Sequence, residues 1–63
     1  MKEIQKNALE RIRIEKGEYK GNDVITMWVF YQGKDGQWRP TKKGLSFGAK
    51  ILPDLVKAMQ TFL

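Results

Sequence analysis

The sequence predicts an α+β fold in which a four-stranded antiparallel β-sheet is followed by one C-terminal α-helix. Up to about Phe47, short β-rich runs alternate with turn-forming residues. After Gly48, apolar residues recur at three- and four-residue steps, which is the period of a helix. A chain of 63 residues forms one domain and, at this size, buries only roughly 60% of the surface that its unfolded form exposes.

The first ten residues form a lead segment to which we assign no function. Met1 to Glu10 is short and has no helix cap, so a frayed helix, an extra strand and a disordered segment all stay open. The predicted domain covers residues 11–63. It begins with a strand from Arg11 to Glu15, where apolar and charged residues alternate with period two. Tyr19 to Asp23 then predicts a turn.

The second predicted strand, Val24 to Gln32, is the longest β-rich run, and both of its faces are apolar. Trp28 and Phe30 lie on one face, and Val29 and Tyr31 lie on the other. One helix can cover only one of these faces. The other must therefore meet a partner subunit or a ligand that binds aromatic surface.

Two short strands complete the predicted sheet. A turn from Gly33 to Gly36 leads into a third strand, Gln37 to Arg39, and we expect Pro40 to end its pairing. Leu45 to Phe47 forms the fourth strand.

The closing helix is amphipathic and begins near Leu52 or Pro53, because proline is tolerated only in the first turn. Its apolar stripe is too wide for one small sheet to cover. With no cysteine and no histidine, bracing by disulfides or by the usual zinc sites is excluded. The sequence therefore predicts an obligate homodimer whose interface includes the helix residues Leu52, Leu55, Val56, Met59 and Phe62.

The formal net charge is +5, and most of it lies in the predicted sheet. Residues 11–43 hold eight cations against four carboxylates, which leaves +4 in this part of the chain. A basic surface attracts polyanions such as phosphate backbones, whereas an excess of lysine that only favours solubility is the alternative. No apolar run approaches the length of a membrane span, and no signal peptide is evident, so we expect a soluble intracellular protein that binds no membrane.

Catalysis is poorly supported by the sequence. There is no histidine or cysteine, the only serine has no base nearby, and the seven carboxylates are scattered among cations. We therefore expect no enzyme, no catalytic or metal-binding residues, no cofactor and no small-molecule substrate.

Binding of nucleic acid is better supported. Proteins that hold single strands without sequence preference combine a cationic track with aromatic side chains on which bases stack. This chain interleaves the two residue types. The predicted DNA-binding residues are Arg11, Arg13, Tyr19, Lys20, Trp28, Tyr31, Trp38, Arg39, Lys42 and Lys43.

Three short motifs resemble those of the transcriptional positive-cofactor-four (PC4-like) family, whose members bind single-stranded DNA. They are an aromatic-Lys-Gly turn at Tyr19 to Gly21, an acidic-Gly turn followed by proline and a basic pair before glycine within Asp35 to Gly44, and Leu52 to Leu55 at the start of the helix. The resemblance as a whole covers about residues 11–62.

The resemblance implies a homodimer in which each curved four-stranded sheet is followed by a helix, and the helices pair. It implies that Tyr19 and Lys20 are first-turn contacts and that Tyr31 stands where the family has a stacking tryptophan. Arg39 matches a lysine, and Lys42 and Lys43 match the basic pair. Trp28 replaces an arginine of the family.

The resulting hypothesis is a dimer that binds single-stranded or melted DNA with little sequence preference, as an accessory in transcription, replication or repair. Transcription and replication proteins are its candidate protein partners. It is placed in the cytoplasm or nucleoid of a bacterial, archaeal or phage system, or in a eukaryotic nucleus. Two alternatives stay open: RNA binding by the same surface, and a protein-interaction adaptor with an exposed aromatic sheet.

Overall fold

The computed structural model describes all residues, Met1–Leu63, as an open, curved antiparallel sheet followed by one helix, which confirms the predicted fold class. The sheet is a meander in which neighbours in sequence are neighbours in space. Its elements are β1 (Lys2–Asn7), β2 (Glu10–Tyr19), β3 (Asn22–Gln32), β4 (Trp38–Gly48), a 3-10 turn (Ala49–Ile51) and α1 (Leu52–Gln60).

The count of four strands is correct, but two of the strands were identified wrongly. The lead segment takes the extra-strand alternative, because β1 pairs with β2 from Lys2 opposite Ile14 onward. The predicted third and fourth strands are one continuous strand, β4. Pro40 does not end the pairing and lies opposite Phe30. An edge strand tolerates proline because one side of the strand has no neighbour, so the missing backbone N–H need not remove a hydrogen bond between strands.

A bulge interrupts the pairing of β3 with β4. Trp28 pairs with Gly44 and Phe30 with Pro40, so Val29 alone lies opposite the segment Thr41 to Lys43. Extra residues on one strand bend it and redirect the side chains that they carry. The bulge therefore sets the predicted basic pair apart from the regular ladder.

The strand register sorts the side chains of the sheet onto two faces, because directly paired residues point to the same side. One is an apolar face. Its members are Ile4, Ile12, Ile14, Ile25, Met27, Val29, Leu45 and Phe47. The other, which we call the arginine-aromatic face, holds Arg11, Arg13, Trp28, Phe30 and Trp38.

The core of this protomer is thin. Only Ile25 is buried, with 7% of its surface exposed, and no residue of α1 is buried. The accessible surface is 5364 Å², whereas a compact monomer of this mass exposes about 4,200 Å². The radius of gyration is 13.4 Å, against about 10.6 Å for a compact domain of this length. The predicted homodimer is consistent with this excess surface and stays a prediction.

The helix begins at Leu52, with Pro53 in its first turn, as the sequence predicts. Its apolar stripe is exposed at Leu52, Val56 and Met59, and Phe62, which lies beyond the end of the helix, is exposed as well. The helix is too short to span a membrane.

Candidate nucleic-acid interface

The bulge in β4 presents Lys42 and Lys43, both exposed, at the surface of the sheet. Thr41 fixes its backbone. The Thr41 hydroxyl donates to the Val29 carbonyl oxygen at 2.8 Å and accepts the Lys43 amide at 3.0 Å. A backbone fixed in this way would reduce the conformational entropy lost if an anionic ligand bound to the two lysines.

Trp28 supports the same bulge from the neighbouring strand. Its indole Nε1 donates to the Thr41 carbonyl oxygen at 2.6 Å, and its ring lies against Gly44, where a Cβ atom would overlap it. The side chain is half-buried. The structure therefore gives Trp28 a positioning contact to the bulge that the sequence did not predict, beside the predicted role in stacking.

Replacing Thr41 by valine tests whether the bulge needs to be fixed. Thr41→Val removes both side-chain hydrogen bonds while keeping the shape of the side chain and both lysines. We expect affinity for single-stranded DNA to fall a few-fold, corresponding to about 1 kcal/mol, while the salt dependence of binding stays unchanged. Titration at several salt concentrations measures both quantities. Thr26→Val is the matched control, because Thr26 lies outside this network, and an equal loss for the two variants would contradict the role of the bulge.

Arg11 and Arg13 alternate with aromatic rings on the arginine-aromatic face. The guanidinium carbon of Arg11 lies 4.5 Å from the ring centre of Trp38, and that of Arg13 lies 4.0 Å from the ring centre of Phe30. Cation–π contacts of this kind hold the guanidinium groups in place. A base that stacked on Trp38 would share this ring with Arg11.

Tyr19 and Lys20 lie at the tip of the β2–β3 hairpin. Tyr19 pairs with Asn22, so Lys20 and Gly21 form a two-residue turn, with positive φ angles of 51° and 81°. Tyr19 is 65% exposed, and Lys20 Nζ lies 5.4 Å from its ring centre. The turn thus presents an exposed ring beside a cation.

Tyr31 and Arg39 lie apart from the other predicted contacts. They pair with each other across β3 and β4 and point to the side of the sheet opposite to Trp28. Arg39 forms a bidentate ion pair with Asp35, with N–O distances of 3.0 and 2.5 Å. This hydrogen bonding lowers the pKa of Asp35 and raises the pKa of Arg39. Arg39 is therefore already paired with a carboxylate within its own hairpin.

The predicted contacts thus fall into separate groups within one protomer. Four of them share the arginine-aromatic face, and Tyr19 lies on the same side of the sheet at the β2–β3 tip, beside Lys20. The basic pair lies on the bulge, and Tyr31 and Arg39 lie on the other side. No group of three or more carboxylates lies close enough together to hold a metal ion.

Sequence reasoning missed two residues that organise these groups. Thr41 gives no local signal, because its hydrogen bonds depend on a bulge that only the pairing of β3 with β4 creates. Glu3 contacts Arg11 and Arg13 from β1. Ile4 is the one apolar residue in Lys2–Asn7, so the sequence contains no alternation that could have indicated a strand in the lead segment.

Comparison with known proteins gives one family and several related structures. The family model described as Transcriptional Coactivator p15 (PC4) matches residues 6–58. A crystal structure of a PC4 homolog from Burkholderia pseudomallei is similar, with a TM-score of 0.83 and 26% identity, over 97% of this chain and 82% of that chain. A second crystal form of that protein gives a TM-score of 0.82. No curated protein matches the chain.

A bacteriophage T5 homolog of PC4 shares the fold, with a TM-score of 0.69 and 24% identity, over 98% of this chain and 75% of that chain. That phage protein is implicated in recombination-dependent DNA replication.

Proposed function

Because the chain belongs to the PC4 family of transcriptional coactivators, we propose that it binds single-stranded or melted DNA with little sequence preference. In this proposal it acts inside the cell as an accessory in transcription, replication or repair and performs no covalent chemistry. Transcription or replication proteins are its proposed protein partners, and the phage homolog is implicated in recombination-dependent DNA replication.

The observation that supports this proposal best is the combination of the arginine-aromatic face with the basic bulge. Single strands are held by cations that contact phosphates and by planar groups on which bases stack. Arg11 and Arg13 supply planar cations on one face, while Lys42 and Lys43 supply point charges on the bulge that Trp28 supports. Strands β2 and β4, on either side of β3, thus supply the two kinds of group that this proposal requires.

Binding in the major groove of a duplex has little support. Proteins that read duplex DNA usually place a basic helix in the major groove. The exposed stripe of α1 is apolar, and the helix carries only Lys57 against Asp54. We therefore propose a preference for single strands over duplexes.

We also propose that the protein acts as a homodimer whose interface includes the exposed stripe of α1. The protomer exposes about 1,200 Å² more than a compact monomer of its mass, while a standard interface covers about 800 Å² per partner. A second copy would cover this surface and place two basic sheets in one particle, which raises the avidity for a long strand.

The test of this proposal is a fluorescence-anisotropy titration with matched single-stranded DNA, duplex DNA and single-stranded RNA at several salt concentrations. Single-stranded DNA should bind more tightly than duplex. RNA that binds more tightly than DNA would favour an RNA-binding protein, and binding that salt hardly weakens would favour an apolar protein interface.

Replacing both lysines of the bulge tests the phosphate contacts. Lys42→Ala with Lys43→Ala should lower affinity for all sequences and reduce the slope of log K against log salt by about 1.4, because two fewer phosphates are neutralised. Lys50→Ala with Lys57→Ala removes the same charge from the helical region and serves as the control. If the wild type and the bulge variant showed the same slope of log K against log salt, Lys42 and Lys43 would not contact the phosphates of the DNA.

A further inference from the structure

One carboxylate bridges the two arginines of the arginine-aromatic face. Glu3 Oε2 lies 3.0 Å from Arg13 Nε, and Glu3 Oε1 lies 3.7 Å from Arg11 Nη1. Glu3 belongs to the edge strand β1 and is the register partner of Arg13. Each oxygen of the carboxylate thus contacts a different guanidinium group.

The aromatic rings hold the same two guanidinium groups from another side. Arg11 lies over Trp38 and Arg13 lies over Phe30. The two arginines are two residues apart on β2, so their Cα atoms are separated by about 6.6 Å along the strand. Their positions are therefore set by the rings and by the strand as well as by Glu3.

The two ion pairs of Glu3 are partly exposed, so other anions can reach Arg11 and Arg13. The exposed fractions of the side chains are 28% for Glu3, 41% for Arg11 and 26% for Arg13. Ion pairs exposed to this degree contribute little net stability and weaken in salt. Arginine forms charge-assisted, often bidentate hydrogen bonds with phosphate as it does with carboxylate, so phosphate oxygens can take the positions of the carboxylate oxygens.

We propose that Glu3 is an internal competitor of nucleic-acid phosphate for Arg11 and Arg13. In the free protein its carboxylate occupies the anion position between the two guanidinium groups. A phosphate of the bound strand displaces it, while Phe30 and Trp38 keep the guanidinium groups in place. Glu3 thereby lowers the affinity of the surface, so that short or isolated anions bind weakly. This inference rests on the proposed binding of single-stranded nucleic acid.

A purely structural role for Glu3 predicts a different change in affinity when Glu3 is replaced. If Glu3 only fastened β1 to β2, its loss would loosen β1 and leave Arg11 and Arg13 less well placed for phosphate. Affinity would then stay the same or fall. A competitor predicts that affinity rises when the carboxylate is removed.

The decisive experiment compares Glu3→Gln with Glu15→Gln in titrations with a single-stranded oligonucleotide. Both substitutions remove one negative charge from the same side of the sheet, but no ion pair joins Glu15 to Arg11 or Arg13. We expect Glu3→Gln to increase affinity about three- to tenfold over the wild type, and Glu15→Gln to increase it by much less. With Arg11→Gln and Arg13→Gln also present, the advantage of Glu3→Gln over Glu15→Gln should disappear.

A reverse variant keeps the test decisive if Glu3→Gln destabilises β1. Gln5 is the register partner of Arg11, so Gln5→Glu places a second carboxylate beside the same guanidinium groups. Its affinity should fall at least about threefold below that of the wild type. The proposed competition by Glu3 is refuted if Glu3→Gln binds no more tightly than Glu15→Gln. It is also refuted if Gln5→Glu binds as tightly as the wild type. A wild-type protein that fails to bind single strands at low salt refutes the proposed function itself.

Discussion

Val56→Asp is expected to abolish dimerisation, cooperative folding and DNA binding together. In the isolated protomer Val56 is 44% exposed, so an aspartate there would cost the monomer little. At a dimer interface the same change buries an unpaired charge. The expected cost is comparable to the stability of about 3–5 kcal/mol that a core of this size supplies.

Analytical ultracentrifugation at micromolar concentration and thermal unfolding measure this result. Lys57→Gln makes the same change in net charge at the next position, which is exposed, and should keep the mass and stability of the wild type. A folded wild-type monomer that binds DNA tightly would refute the dimer. So would a Val56→Asp variant that is as stable as Lys57→Gln.

The second large effect is expected for Gly44→Ala. A Cβ atom at this position would overlap the Trp28 indole and lie 2.8 Å from the Met27 carbonyl oxygen. Either the ring or the strand must move, and overpacking of this kind typically costs about 1–3 kcal/mol. A loss of about 2 kcal/mol lowers Tm by about 8–16 °C in a domain of this size.

Gly17→Ala is the matched control for this substitution. Gly17 lies in β2 with nothing within 4 Å of an added Cβ, so alanine should leave Tm unchanged or raise it slightly. Displacement of Trp28 should also break its hydrogen bond to Thr41 and weaken DNA binding. If the two alanine variants melt at the same temperature, the close contact between Trp28 and Gly44 is not a constraint in solution.

Most of the fold could be predicted from the sequence because its signals are local. The alternation around Ile12 and Ile14, the turn at Lys20 and Gly21, and the helix that begins at Leu52 all have the predicted structure. The course of β4 could not be predicted, because Pro40 and Gly44 locally resemble the end of one strand and the start of another. Only pairing with β3 joins them, through the bulge.

The candidate contact residues stay a prediction, and the sequence does not give their arrangement in space. Alternation correctly placed Arg11 and Arg13 on one side of the sheet and separated Trp28 from Tyr31. The stacking of Arg11 on Trp38 depends on residues of β2 and β4, which are separated by a third strand. The contacts of Glu3 depend on the pairing of β1. Sequence spacing contains no information about such cross-strand neighbours.

The bulge also bears on how the protein stays dispersed at high concentration. β4 is an outer strand of the sheet in the protomer, and a free strand edge is a template for pairing with other chains and for aggregation. Proline, a bulge and lysine are the features that discourage such pairing. In β4 they follow one another as Pro40, the bulged Thr41, Lys42 and Lys43. The segment that presents the basic pair is thus also the one that makes this edge unsuitable for amyloid-like growth.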